Sequence, residues 1–305
     1  MNKTVLITGA NAGLGKETAR QLALKKETEK IYLACRNPQK AEAAKQELEA
    51  ETSRSIFEIV ILDVSDLDSV EQTVAQLPEA VDAIVMNAGG IGGLTPNAVT
   101  KYGVNDTTAI NVLGHVHLVD KLIENNKLNK VALYVGSEAV RGVALMGMKP
   151  VKLNNSSADE FASIATGSFF KANVDPMVSY GYVKYLAIMN FFAMARKHPE
   201  IKFLSMSPGG TSGTNAADNL KGPMKFMFKT MSNTLMPIMG LMHNLDVGAK
   251  RLVDAISDNK YESGKFYASK KKTTGEVADQ ISWFPDLNNT MYQDNAYEAI
   301  HRFIN

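Results

Sequence analysis

Tyr180 and Lys184 stand four residues apart, Tyr-x-x-x-Lys, in a stretch whose pattern predicts a helix over Ser179–Arg196. Four residues on a helix bring two side chains onto one face, one turn apart. A free phenol titrates at about 10, so a neighbouring ammonium that favours phenolate would help it exchange protons at neutral pH. The same spacing occurs at Tyr261/Lys265 and Tyr267/Lys271. Those pairs flank a predicted strand, where four residues span roughly 13 Å and the charge loses its reach. Ser137 lies at the carboxyl end of another predicted strand, facing the crevice where open α/β sheets bind ligands. Asn111, in a preceding helical stretch, offers an amide that could hold the lysine through water.

A second chemical signal opens the chain. Thr8-Gly9-Ala10-Asn11-Ala12-Gly13-Leu14-Gly15 follows the first predicted strand and begins the first predicted helix. Glycines there permit a tight turn and close backbone approach, and the helix amino terminus offers N–H groups to a pyrophosphate. The spacing, Gly-x-x-x-Gly-x-Gly, differs from the commonest dinucleotide fingerprint, so its position between strand and helix carries the assignment. The second strand ends in Cys35-Arg36, where an NAD-selective site would carry an acidic residue for the ribose 2′-hydroxyl. An arginine suits a 2′-phosphate, which its planar fork can grip, and Lys16 could add charge. The cofactor expected is therefore NADPH.

These residues need a frame, and the hydropathy pattern supplies one. Short apolar runs at Thr4–Thr8, Lys30–Cys35, Ser55–Leu62, Val81–Met86, Val131–Val135, Ile201–Met206 and Lys265–Ala268 read as strands. Helical stretches at Leu14–Leu24, Gln39–Glu51, Leu67–Gln76, Asn111–Glu124, Ser179–Arg196, Val247–Ile256 and Leu287–Ile300 separate or close them. Strands alternating with helices predict right-handed crossovers and a parallel sheet covered on both faces, an α/β doubly wound fold. The reading is one domain over 1–305 with two insertions, at about 138–178 and 211–245, forming the substrate region. The first insertion shows no clear periodicity.

Composition excludes several function classes. Among 305 residues, Lys+Arg number 33 and Asp+Glu 32, so no global basic field draws nucleic acid. The lone Cys35 cannot form an intrachain disulfide, which fits a reducing compartment. No apolar run reaches the length of a membrane span, and a cytoplasmic protein is expected. The histidines show no ligand pattern, and His115 and His117, two apart on a helix, point to different faces. No metal is expected. Met224–Met242 interleaves Met and Phe with lysines. It could be a lid over an apolar substrate, a packed helix pair, or a membrane-surface helix, the one route to membrane contact.

Taken in order, Thr8-Gly9-x-x-x-Gly13-x-Gly15, Asp63-Val64, Asn87-Ala88-Gly89, Asn111, Ser137, Tyr180-x-x-x-Lys184 and Pro208-Gly209 resemble the short-chain dehydrogenase/reductase family over essentially the whole chain. The resemblance implies a Rossmann-type fold. Asp63 and Val64 would hold the adenine, and Asn87-Ala88-Gly89 would line the floor beneath the cofactor. Tyr180 would donate the proton, Lys184 would lower its pKa and hold the nicotinamide ribose, Ser137 would orient a carbonyl, and Asn111 would anchor a relay water. Pro208 and Gly209 would also touch the cofactor. Leu33-Ala34-Cys35-Arg36-Asn37 and Asn111-Val112-Leu113-Gly114-His115 are similar to the branch of retinol dehydrogenases and light-dependent protochlorophyllide reductases. The latter carry a cysteine directly after the Pro-Gly, where this chain has Gly210. The expected activity is NADPH-dependent hydride transfer to a carbonyl, or to an activated double bond, of a small apolar molecule. The runner-up is a protochlorophyllide-type reductase. A non-catalytic NADP-binding sensor would lose the tyrosine or the lysine, and this chain keeps both.

Overall fold

The structure is a computed structural model and describes residues 2–91, 98–144, 148–172, 174–213, 236 and 239–304. The strands are β1 (Thr4–Thr8), β2 (Lys30–Cys35), β3 (Phe57–Ile61), β4 (Val81–Met86), β5 (Leu128–Val135), β6 (Lys202–Met206), β7 (Lys265–Ser269) and β8 (Val277–Asp279). They form one eight-stranded sheet in the order β3-β2-β1-β4-β5-β6-β7-β8, parallel from β3 through β7. β8 pairs antiparallel to β7. The order reverses between β1 and β4, the switch point at which doubly wound sheets open a crevice.

Alternation along each strand divides the core in two. Val5 and Ile7 of β1, with Ile31, Leu33, Val85 and Leu133, pack under helices α1 (Gly13–Ala23), α2 (Pro38–Thr52) and α7 (Leu245–Ser257). Leu6, Ile84, Ala132 and Tyr134 face the other way, onto α3 (Leu67–Gln76), α4 (Gly114–Glu124), α6 (Pro176–Lys197) and α8 (Thr290–His301). Both faces being covered explains why the central strands read as continuous apolar runs. α6 is apolar nearly all round, and every residue from Val183 to Met194 is buried, since α8 and α5 (Ala158–Thr166) cover the side turned away from the sheet.

Several features depart from the sequence reading. α6 begins at Pro176, three residues early: Asp175 accepts a hydrogen bond from the Met177 N–H at 2.8 Å, and proline at the first helical position needs no partner for its nitrogen. The first insertion, expected to lack periodicity, contains α5. It starts at a capping box in which Ser157 accepts from the Glu160 N–H, while the Glu160 carboxylate takes N–H groups of Asn154, Asn155 and Ser156. The edge strand β8 is too short to show an alternation. Most of the second insertion, including the Met-rich stretch, lies outside the described residues. Its flanks meet where Thr211 bridges His243. Among the described residues no helix is long and apolar enough to cross a membrane.

The helical stretch expected from Asn111 begins earlier, with a turn at Asp106–Thr108 and a wide π turn over Ala109–Leu113, before α4 proper starts at Gly114. Gly114 passes so close to the loop after β3 that a Cβ there would overlap the Val64 carbonyl. Gly114→Ala must therefore push that loop away, and overpacking of this kind costs about 1–3 kcal/mol. A lowered thermal midpoint is expected. An unchanged midpoint would show that the loop yields freely.

Candidate active site

At the switch point the loop after β1 folds back on the loop after β4. The Thr8 hydroxyl oxygen accepts the backbone N–H groups of Asn87 and Ala88, each at 2.9 Å, and the Asn87 amide donates to the Thr8 carbonyl at 2.9 Å. Gly9 has φ +66°, and a Cβ on Gly15 would stand 2.5 Å from the Gly9 carbonyl oxygen, so the turn closes only with glycine at both positions. Asn11, Ala12, Gly13 and Leu14 remain half-buried on its outer side. α1 opens at Ala12 with no side-chain cap and no acidic residue in its first turn, leaving its N–H groups to a ligand. Behind the loop sits Cys35, whose thiol burial pushes up to about 11, against the N–H groups of Ala10 and Asn11. It is a packing residue.

Around this cradle the predicted cofactor residues fall into place unevenly. Arg36 is exposed at the end of β2 and makes no hydrogen bond or ion pair among the described residues. Lys16, expected to join it, instead pairs with Glu47 of α2. Asp63 is half-buried, with one carboxylate oxygen taken by the N–H and hydroxyl of Ser65. Val64 is 6% exposed and belongs to the core, its carbonyl packed against Gly114. Gly89 and Gly90 are exposed, and a Cβ on Gly90 would meet nothing within 4 Å, an open floor beside Asn87 and Ala88. Loop turn, uncapped helix start, free guanidinium and open floor together fit a dinucleotide. Pro208 is buried and Gly209 (φ +82°) half-buried after β6, both on the same carboxyl edge of the sheet.

The acid–base residues converge next to this floor. Half-buried Tyr180 shares a hydrogen bond with Ser137. Lys184 is 3% exposed, its Nζ donates to the Val135 carbonyl at 3.0 Å, and it stands 5.4 Å from the Tyr180 ring centre. Burial pushes the Lys184 ammonium down to about 7. Burial raises the Tyr180 phenol above its ordinary value, the Ser137 hydrogen bond opposes this, and the Glu138 charge adds to it. Desolvation is the largest influence on the phenol. The Asn111 amide was expected to reach the lysine through water. It is tied instead to Gly90 and Thr107: Nδ2 donates to both carbonyls at 2.8 Å, and Oδ1 accepts from Gly90 N–H at 3.2 Å. The other two Tyr-x-x-x-Lys pairs lie apart, Tyr261 and Tyr267 stacking edge to face in the opposite half of the core.

Sequence reasoning missed a buried polar cluster under Ser137. Glu138 is 4% exposed. Its carboxylate accepts the Ser269 N–H at 3.1 Å and the hydroxyls of Ser269 and Ser207, and lies 3.8 Å from the Arg251 guanidinium. Arg251 also donates to Ser269 Oγ at 2.9 Å and the Gly275 carbonyl at 2.9 Å. The cluster clamps the ends of β5, β6 and β7 together. Its members lie far apart in sequence, so no spacing could reveal it.

Comparison with known proteins agrees with this geometry. The family model for short chain dehydrogenases matches residues 3–139. Retinol dehydrogenase 12 of Bos taurus is 37% identical over 142 residues, 45% of this chain and only 43% of that relative's length. The short chain dehydrogenase macD of Penicillium terrestre is 30% identical over 234 residues, covering 72% of this chain and 68% of the relative. Protochlorophyllide reductase A of Arabidopsis thaliana is 28% identical over 299 residues, 91% of this chain and 71% of the relative. Among solved structures, an NADPH-bound carbonyl reductase from chicken fatty liver superposes with a TM-score of 0.58 at 18% identity, over 90% of this chain and 99% of that one, a likeness of fold. The chain belongs to the short-chain dehydrogenase family.

Proposed function

We propose that the protein is an NADPH-dependent reductase that transfers hydride to a carbonyl of an apolar small molecule. The observation that carries this reading is the meeting of Tyr180, Ser137 and Lys184 at the open floor made by Asn87–Gly90. The cofactor would be held by the Gly9–Gly15 loop, by Asp63 and the Val64 backbone at the adenine end, by Arg36 at the 2′-phosphate, and by Asn87, Ala88, Gly89, Lys184, Pro208 and Gly209 along the nicotinamide side. When bound it supplies the hydride. Ser137 would orient the substrate oxygen toward the Tyr180 phenol, which burial keeps protonated and therefore ready to give its proton to that oxygen as negative charge develops there. Lys184, as the ammonium, would stabilise the phenolate left behind by its positive charge. The segments 138–178 and 211–245 would form the substrate region, since they follow the carboxyl ends of β5 and β6.

A second reading, reduction of an activated double bond, is favoured by the 91% coverage in the match to protochlorophyllide reductase A. Against its photochemical form stands Gly210, where a Cβ would overlap the Leu241 carbonyl, so the position where those reductases carry cysteine admits no side chain. A panel of apolar carbonyls and enones, followed by NADPH absorbance, separates the two readings.

Two variants test the roles. A charge-assisted contact to a 2′-phosphate is worth about 1.5–3 kcal/mol, so Arg36→Asp should weaken NADPH binding some tenfold to a hundredfold and relatively favour NADH. Fluorescence titration of both cofactors measures it, and equal wild-type affinities for the two would remove the NADP assignment. Tyr180→Phe should cost about 10²–10⁴-fold in turnover while NADPH binding stays largely intact. Tyr261→Phe and Tyr267→Phe should keep most of the activity, and a Tyr180→Phe enzyme that remains active would require another proton donor.

A further inference from the structure

Lys184 poses a physical problem that its assigned role does not solve. An ammonium has three N–H donors, yet this one, 3% exposed, makes a single hydrogen bond among the described residues, to the Val135 carbonyl. It forms no ion pair with a carboxylate among them. A buried cation so poorly provided for should lose its proton unless something else stabilises the charge. Two aromatic faces do so: the Tyr180 ring centre at 5.4 Å and, nearer, the Tyr134 ring centre at 4.6 Å. The negative face of a tyrosine ring attracts a cation at this range, most strongly where water is absent.

Tyr134 cannot turn away. Its hydroxyl donates to the Asn111 carbonyl at 3.0 Å, and its ring packs against Phe191 at 5.2 Å and edge-on against His115 at 6.4 Å. His115, fully buried, links this point to the phosphate loop. Its Nε2 lies 3.0 Å from the Thr8 hydroxyl and its Nδ1 3.4 Å from the Asn111 carbonyl. The Thr8 oxygen already accepts the Asn87 and Ala88 N–H groups, so its own proton goes to the nearer acceptor, His115 Nε2 at 3.0 Å rather than the Val85 carbonyl at 3.5 Å. The Nδ1–H then points at Asn111, a neutral tautomer. Burial, with the Lys184 charge adding to it, holds the His115 imidazolium down to about 3, so no second cation competes beside Lys184.

We propose that Tyr134 is a positioning residue whose ring face carries the buried Lys184 ammonium and keeps it protonated beside Tyr180. The proposal rests on the reading of Lys184 as part of the acid–base site. The titratable groups around Lys184 are Tyr180 on its own helix, Tyr134 on β5 and His115 on α4, with Glu138 beyond Tyr180. Of the two ring faces over Lys184, only that of Tyr134 can be altered without touching the reacting group.

The test is the titration of Lys184 in the cofactor-free protein, followed by NMR of isotopically labelled lysine and assigned by the signal lost in Lys184→Arg. Tyr134→Phe keeps the ring and should leave the midpoint little changed. Tyr134→Leu removes the ring and should lower it by about one pH unit. Pentafluorophenylalanine at position 134 preserves shape while reversing the charge of the ring face, so it should lower the midpoint at least as far even if the leucine variant fails to fold. An unchanged midpoint in the fluorinated protein, or a fall in Tyr134→Phe as large as that in the fluorinated protein, would overturn the proposal. The readout needs no turnover. A ring-dependent midpoint in a protein without reductase activity would leave this inference standing and remove the functional reading, whereas an active enzyme with a ring-independent midpoint would do the reverse.

Discussion

The parallel pairing of β1 with β2 on one side and β4 on the other is the constraint from which the site follows. It sends the chain to the left after β1 and to the right after β4, so the two loops part and leave a crevice above the strand ends. The register, Val5 against Ala83 through Ile7 against Val85, brings the end of β1 level with the end of β4, and the Thr8 hydroxyl binds the two loops together through the N–H groups of Asn87 and Ala88. Every proposed functional group then lies on the same edge of the sheet, because each follows the carboxyl end of a strand or the start of a helix that returns there.

That arrangement places polar groups where burial works against them. Lys184 and Tyr180 are both pushed toward their neutral forms by desolvation, so in the cofactor-free protein they hold fewer charges than exposed residues would. A neutral phenol is a proton donor, and an ammonium beside it would stabilise the phenolate left behind. Glu138 and Arg251 show the opposite solution. The two lie 3.8 Å apart, and hydrogen bonds with Ser207 and Ser269 complete the pairing that buried ionisable groups require. Removing either partner would leave an uncompensated charge under Ser137, so this cluster fixes the backbone on which the site is built.

Local signals in the sequence carried most of the frame. The glycine loop, the seven parallel strands and the Tyr180/Lys184 pair are each encoded within a few residues, by spacing, by alternation or by one helical turn. Asp175-Pro176 and the Ser157-x-x-Glu160 box are equally local and mark helix starts that the apolar pattern obscured. What could not be read depends on distant partners. Glu138 meets Ser207 and Ser269 across 69 and 131 residues, and Lys16 turned out to face Glu47 rather than Arg36. Tyr134 looks like any aromatic residue in a strand; only the tertiary structure puts Lys184 over its ring. Asn111 illustrates a third case, in which the residue stands where the pattern implied but its amide is already occupied by Gly90 and Thr107.

Every proposed role requires that a single nicotinamide dinucleotide span the crevice from the Gly9–Gly15 loop to Tyr180 and Lys184. Hydrogen–deuterium exchange of the protein with and without NADPH addresses it residue by residue. Slowed exchange together at 9–15, 87–90 and 180–184, with the distant Tyr261–Tyr267 region unaffected, is the predicted result. Protection that spares either the glycine loop or the Tyr180–Lys184 turn would contradict it.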